Sequence, residues 1–480
     1  MSLFRTKSLE QLIEAGRRPH GLKKVLGPVD LILMGVGAIV GTGIFVLTGT
    51  GATTAGPALV FSFIIAACAC GFAALCYAEL ASTVPVSGSI YTYSYATLGE
   101  IVAWVIGWDL ILEYGLNVST VAVGWSGYFQ SLLSGFGIAI PAALSAAPGS
   151  VQGVDTIMNF PALCVVLLIT SVVSMGVRKS SKINNIMVAI KVAVVLLFIF
   201  VGTKHVQPQN WQPFAPFGST GVLSAAALVF FAFIGFDAVT SAAEEVRKPE
   251  RDLPVGIIGS LAICTVFYVA VAAIMTGIVP YQKFLGVDHP ISLALQSAGE
   301  TWVAGFVDLG AILGMTTVLL VMTYGQTRIT FAMSRDGLLP KFLSNVHPKH
   351  GTPFITTWIV GIIFGGVAAF MPLRVLAELV NIGTLAAFCL VATAVMVLRR
   401  KRPDLKRSFR CPGVPAVPIL AILMCLTLMS YLHWVTWVAF GVWMSIGIAV
   451  YFLYARSRST LGLDAMNRSG RRQAVVHLTE

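Results

Sequence analysis

Gly35-Val-Gly-Ala-Ile-Val-Gly-Thr-Gly-Ile-Phe45 lies in the middle of an apolar segment running from about Val29 to Ala55. The segment is long enough to cross a bilayer as a helix, which takes roughly 20 residues. Yet glycines stand at its centre, at Gly35, Gly37, Gly41 and Gly43. Each costs about 1 kcal/mol in a helix interior relative to alanine. A helix that only had to span would use Leu or Ala there. The stretch therefore points to a helix that breaks at mid-membrane and exposes backbone N–H and C=O groups. Such exposure is tolerated only where the backbone is buried in protein or lines a cavity. Close packing through small residues is the other reading of the same glycines.

The chain has 480 residues, of which 56% are hydrophobic and 11% charged, and its mean hydropathy is +0.84. A soluble domain carries about 25% charged residues, so the composition predicts an all-α polytopic membrane protein. Hydropathy places twelve spans near 29–55, 58–82, 96–133, 158–177, 183–204, 221–244, 255–279, 301–331, 353–371, 374–398, 414–432 and 434–455. The segment before Pro28 has no apolar signal-peptide core. A net charge of +11 would suggest nucleic acid in a soluble protein. Here it follows the positive-inside rule. With the N-terminus inside, 27 of the 32 Lys and Arg fall on inner segments, which places both termini in the cytoplasm and the chain in the plasma membrane. No nucleic-acid partner is implied. The eight cysteines are scattered and read as small packing residues; Cys68-Ala-Cys70 has no partner pair at metal spacing. Neither a cofactor-binding motif nor a nucleophile–base motif is present, and no enzyme is expected. The spacing Ser8-Leu-Glu-Gln11 suits the start of a short surface helix.

Ionisable residues within spans are expensive and usually functional. Asp109, Glu113 and Asn117 recur at i, i+4, i+8 on one face of span 3. Glu113 is too deep to reach either interface, so it needs an interior partner. Lys191 lies nine residues past Lys182, about 13 Å along a helix. It is either a snorkelling side chain or a buried amine able to lose its proton during a cycle. Glu79, at the end of span 2, reads as an interfacial carboxylate. Span 6, Phe230-Phe-Ala-Phe-Ile-Gly-Phe-Asp-Ala-Val-Thr240, is interrupted by Gly235 and Asp237. That interruption is about as deep as the one in span 1. Spans 1 and 6 correspond if residues 29–204 and 221–398 are two five-helix units of opposite orientation. Paired interruptions of this kind point to a transporter's binding site. Spans 11 and 12 (414–455) then follow as scaffold, between cytoplasmic tails at 1–28 and 456–480. The stretch from Pro290 to Gly299 reads as a short helix over the outer entrance.

Several runs resemble one family. Gly41-Thr-Gly-Ile-Phe45, Tyr77-Ala-Glu-Leu80, the Pro85–Tyr93 turn and Gly235-Phe-Asp-Ala-Val leading to Arg-Asp-Leu-Pro254 look like the amino acid–polyamine–organocation superfamily. Ala332-Met-Ser-Arg-Asp-Gly-Leu-Leu-Pro340 is most similar to its cationic amino acid transporter branch. The resemblance implies a five-plus-five inverted repeat with discontinuous helices 1 and 6 and alternating access. It places the substrate carboxylate on the N–H groups of Thr42 and Gly43. The α-amine meets the carbonyls of Ile39, Phe231 and Ile234, with Ala232 adjacent and Phe231 as the aromatic cap. Lys191 matches a lysine that replaces sodium in members lacking sodium dependence, and Glu113 matches an acidic position of the branch. Members that carry arginine tend to have a small residue where Met322 stands.

The expectation is an amino acid transporter in which protons couple to uptake through Lys191, Glu113 and Asp237. Met322 favours small or medium neutral substrates, whereas Glu113 leaves open a cationic amino acid uniporter or exchanger. A non-transporting amino acid sensor is the remote alternative.

Overall fold

The computed structural model describes residues 26–83, 91, 94–95, 99–151, 153, 155–176, 181–237, 239–240, 246–405, 407 and 409–460, with the side chains of 181–184 excepted. The Ser8–Gln11 stretch, all of the Pro85–Tyr93 turn but Tyr91, the Glu244-Glu245 pair and the far ends of both tails lie outside the described residues.

Both glycine interruptions are breaks in the backbone. α1 (Pro28–Ile39) ends where Val40 turns to an extended ψ of 104°. The chain resumes as a wide π turn, Gly43–Leu47, that runs into α2 (Thr48–Ala55). Widening the helix loosens its carbonyls, and the Phe45 carbonyl accepts a hydrogen bond from the Tyr128 hydroxyl at 2.6 Å. Later in the chain, α7 (Gly218–Val229) tightens into a 3-10 turn at Phe230–Phe233 and stops at Ile234, whose ψ is 135°. Gly235 follows with φ +116°, a conformation that L side chains rarely adopt.

Around these broken elements stand long helices: α3 (Leu59–Thr83), α4 (Glu100–Gly135), α5 (Phe160–Ser174), α6 (Ser181–Gly202) and α8 (Pro249–Ile278). The short α9 (Pro290–Ser297) precedes α10 (Thr301–Arg335), α11 (Phe354–Phe370), α12 (Leu373–Lys401), α13 (Ala416–Ser430) and α14 (Trp434–Val450). Among the described residues, seven helical segments are long and apolar enough to cross a membrane, and five shorter apolar helices accompany them. No strand is formed there beyond one isolated bridge between Leu26 and Val246. α8 begins at Pro249, six residues before the hydropathy reading. The early start has a local cause: proline suits the first helical position, and Glu250 and Asp252 complement the dipole in the first turn.

Connecting segments meet on two faces. On one, Arg247 N–H donates to Leu26 O, Ser459 Oγ to Glu100, and Thr460 N–H to Asp336 O. This is the basic face, bearing Arg247, Lys248, Arg251, Arg335, Lys341, Lys349 and the cationic run from Arg399 to Arg410. On the opposite face, α9 lies over the bundle. Gln296 and Ser292 of α9 join Ser131 of α4, which donates to Asp308 of α10 at 2.8 Å.

Glu79 corrects the sequence reading. It is 1% exposed rather than interfacial. Arg399 grips it through two nitrogens at 2.9 and 2.6 Å, Arg407 stands at 3.4 Å, and the Cys411 N–H donates to it at 2.7 Å. A buried carboxylate needs such pairing because its desolvation cost otherwise exceeds any gain. The cluster ties α3 to α12 and to the connection leading into α13.

Candidate substrate site

The two breaks meet. At Gly43 a Cβ would collide with the backbone of Ala232, and at Gly235 it would stand 2.9 Å from Ala38 O. Tyr268 of α8 spans the junction, its hydroxyl 3.0 Å from Ile39 O and 2.7 Å from Ala232 O. Asn381 of α12 supplies donors to the other loosened end, from Nδ2 to Ala227 O and Leu228 O at 2.8 Å each. Breaking a buried helix leaves carbonyls without partners, and these two side chains bring donors to them. Neither was singled out as a site residue from sequence. Asn381 is an amide within an apolar span, three residues after Glu378; Tyr268, flanked by Phe267 and Val269, gave no signal.

A small compartment of about 10 Å³ lies against the junction, lined by Ile39, Thr42, Gly43, Asn117, Phe231, Ile234 and Met322 among others. Sequence placed Ile39, Thr42, Gly43, Phe231, Ile234 and Met322 at one locus, and the structure brings them together; Ala232 is the backbone pressed against Gly43. Thr42 Oγ1 and Asn117 Oδ1 are buried without hydrogen-bond partners. Nearer the basic face is a second compartment of about 30 Å³, lined by Glu113, Tyr114, Asn117, Ile234, Gly235, Asp237, Val321 and Met322. Asn117, Ile234 and Met322 border both compartments, so they form the wall between an uncharged, backbone-rich chamber and an acidic one.

Lys191 does not pair with Glu113. It is 1% exposed, and its Nζ donates to Gly37 O at 2.7 Å, in the last turns of α1 before the break. Its stem packs over Gly314 of α10. The snorkelling alternative is therefore not realised. Glu113 instead has Asp237 and Asp109 as charged neighbours, with the Thr384 hydroxyl beside it. Asp109 occupies space left by the absent side chain of Gly383, and its Oδ1 has no hydrogen-bond partner. Among the described residues no group of His, Cys, Asp and Glu is arranged to hold a metal ion.

The Tyr268 bridge gives a direct test. Tyr268→Phe removes the one hydrogen that Ile39 O and Ala232 O share, a loss of about 1–3 kcal/mol. The variant is expected to unfold at a lower temperature in detergent and to need at least about five-fold more substrate for half-saturation. Unchanged values of both would show that the hydroxyl is not part of the junction's energetics.

Two interrupted apolar helices whose breaks meet around polar backbone define a membrane carrier. Comparison with known proteins agrees. The amino acid permease family model matches residues 26–432, and a model of the permease C-terminus matches 409–459. The chain is 62% identical over 460 residues to the branched-chain amino acid permease BcaP of Bacillus subtilis, covering 96% of this chain and 99% of that one. It is 54% identical over 461 residues to the methylthioribose transporter of the same organism, with the same coverage of both chains. It is 39% identical over 411 residues to the vacuolar cationic amino acid transporter 4 of Arabidopsis thaliana, covering 84% and 68% of the two chains. The chain belongs to the amino acid permease family. It is a multi-pass membrane transporter of amino acids and not an enzyme.

Proposed function

We propose that the protein takes up neutral amino acids of small to medium size, branched-chain aliphatic ones above all, in symport with protons. The meeting of the two breaks at Gly43 and Ala232 carries the reading. The first N–H groups after the α1 break favour a carboxylate, and the carbonyls of Ile39, Phe231 and Ile234 favour an ammonium. Met322 leaves an apolar chamber for the side chain. The 62% identity to a branched-chain amino acid permease supports the same substrate class.

Lys191 is the coupling residue in this reading. Protonated, it holds α1 through Gly37 O and keeps the site loaded. Once water reaches it from the basic face it gives up its proton, α6 loosens from α1, and substrate leaves. Glu113 and Asp237 assist by relaying the proton. Twelve spans arranged as two inverted five-helix units, 29–204 and 221–398, followed by 414–455, supply the alternating access. The basic face is cytoplasmic in the plasma membrane, with both termini on that side.

The acidic neighbours of Glu113 favour a second reading, a uniporter or exchanger of cationic amino acids. Leucine uptake into proteoliposomes, driven by a pH gradient and challenged with each of the other amino acids, decides between them. Competition by valine and isoleucine and dependence on the gradient are expected. Arginine outcompeting leucine without any gradient effect would overturn the proposal.

A further inference from the structure

Two oxygens at the proposed site are left over. Thr42 Oγ1 and Asn117 Oδ1 are buried without hydrogen-bond partners. Their residues are 1% and 4% exposed, and both border the compartment of about 10 Å³ at the junction. A buried polar atom without a partner costs free energy that an apolar atom in its place would not. A chamber built for aliphatic side chains alone has no use for either oxygen.

Asn117 comes to the junction on one face of α4. Asn117, Val121 and Gly124 stand at i, i+4 and i+7 and share that face. Asn117 and Val121 line the junction compartment. At Gly124 a Cβ would stand 2.8 Å from the Thr42 methyl and 2.8 Å from a Val46 methyl, so the face lies directly against the α1 break. One turn earlier Glu113 lines the acidic compartment, which Asn117 also borders. Asn117 is therefore where this face passes from charged to uncharged. It stands in one wall with Met322, where the proposed reading seats the substrate's side chain.

The amino acid's own backbone groups are already spoken for in that reading. Its ammonium goes to the carbonyls of Ile39, Phe231 and Ile234, and the Thr42 hydroxyl can donate to its carboxylate. The carboxamide oxygen of Asn117 only accepts, so it needs a donor, and the side chains of valine, leucine and isoleucine have none. We propose that Asn117 is a specificity-determining residue that accepts a hydrogen bond from a side-chain hydroxyl, so that the carrier takes β-hydroxy amino acids alongside aliphatic ones. Threonine is the fitting case, because it has the shape of valine with one methyl replaced by hydroxyl. An uncharged amide also admits valine, at the cost of one unmade bond, and does not repel the substrate carboxylate. The inference rests on the proposed uptake of neutral amino acids.

Valine and threonine, matched in shape, give the test. A purely apolar pocket fitted to valine rejects threonine on the order of 100-fold. Uptake of each into proteoliposomes is measured in competition with the other, for wild type, Asn117→Leu and Asn117→Ala. In the wild type threonine is expected within about ten-fold of valine, and in the variants at least about ten-fold further behind. The wild-type ranking needs no variant: threonine trailing valine by more than that overturns the assignment. So does a smaller change of the ratio in whichever variant still takes up valine. That outcome includes equal weakening of both substrates, because the amide then serves the α-amino group common to them. Wild type that moves no neutral amino acid at all would instead overturn the underlying reading of function.

Discussion

Lys191→Ala is expected to abolish leucine uptake driven by a pH gradient in proteoliposomes. The side chain is the connection from α6 to the carbonyl of Gly37, and it is buried. Alanine removes both the titrating group and the hydrogen bond. The loss of a charge-assisted bond is worth about 1.5–3 kcal/mol, enough to lower the population of the loaded state at least about ten-fold. Residual counterflow exchange that no longer responds to pH would separate lost coupling from lost folding. Undiminished gradient-driven uptake would refute the assignment.

Met322→Ser should have the second large effect. Met322 borders both compartments, about 10 and 30 Å³ in volume, and its thioether is part of the wall between them. Serine removes most of that volume and joins the two. A long cationic side chain seated at the junction would then reach Glu113 and Asp237. The wild type is expected to prefer leucine to arginine, and the variant to shift that preference toward arginine by about 10- to 100-fold, or roughly 1.4–2.7 kcal/mol. Competition curves for leucine, lysine and arginine in the two proteins measure it. A wild type that prefers arginine would remove Met322 as the selective element.

The breaks were legible in the sequence because glycine and aspartate within an apolar run contradict the needs of a simple span. Lys191 was legible for the same reason, since its own polarity announced it. The partners of these groups were not. Glu79 looked interfacial because it sits at the end of an apolar run; the arginines that hold it lie 320 and more residues away. Sequence gives a residue's cost of burial but not who offsets it. Asp109 was legible as a neighbour of Glu113 on one helix face, but the space it occupies exists only because residue 383 is glycine. Tyr268 was silent because a tyrosine in an apolar helix is ordinary until its hydroxyl is seen between two helix breaks. The site's lining followed from the resemblance, while its division into two chambers is a matter of side-chain packing that no motif encodes.

Tyr268 sets a limit on the empty site that can be counted in protons. Its hydroxyl stands between two carbonyls, Ile39 O and Ala232 O, but it has one hydrogen to give. At any instant one of the two carbonyls goes without it. In the proposed binding mode a substrate ammonium brings three hydrogens of its own and meets Ile39 O. Vacant, the junction is one donor short; occupied, the count closes. A carrier built this way pays a penalty for returning without cargo, so the empty return leg of the proposed symport starts from a junction one hydrogen short.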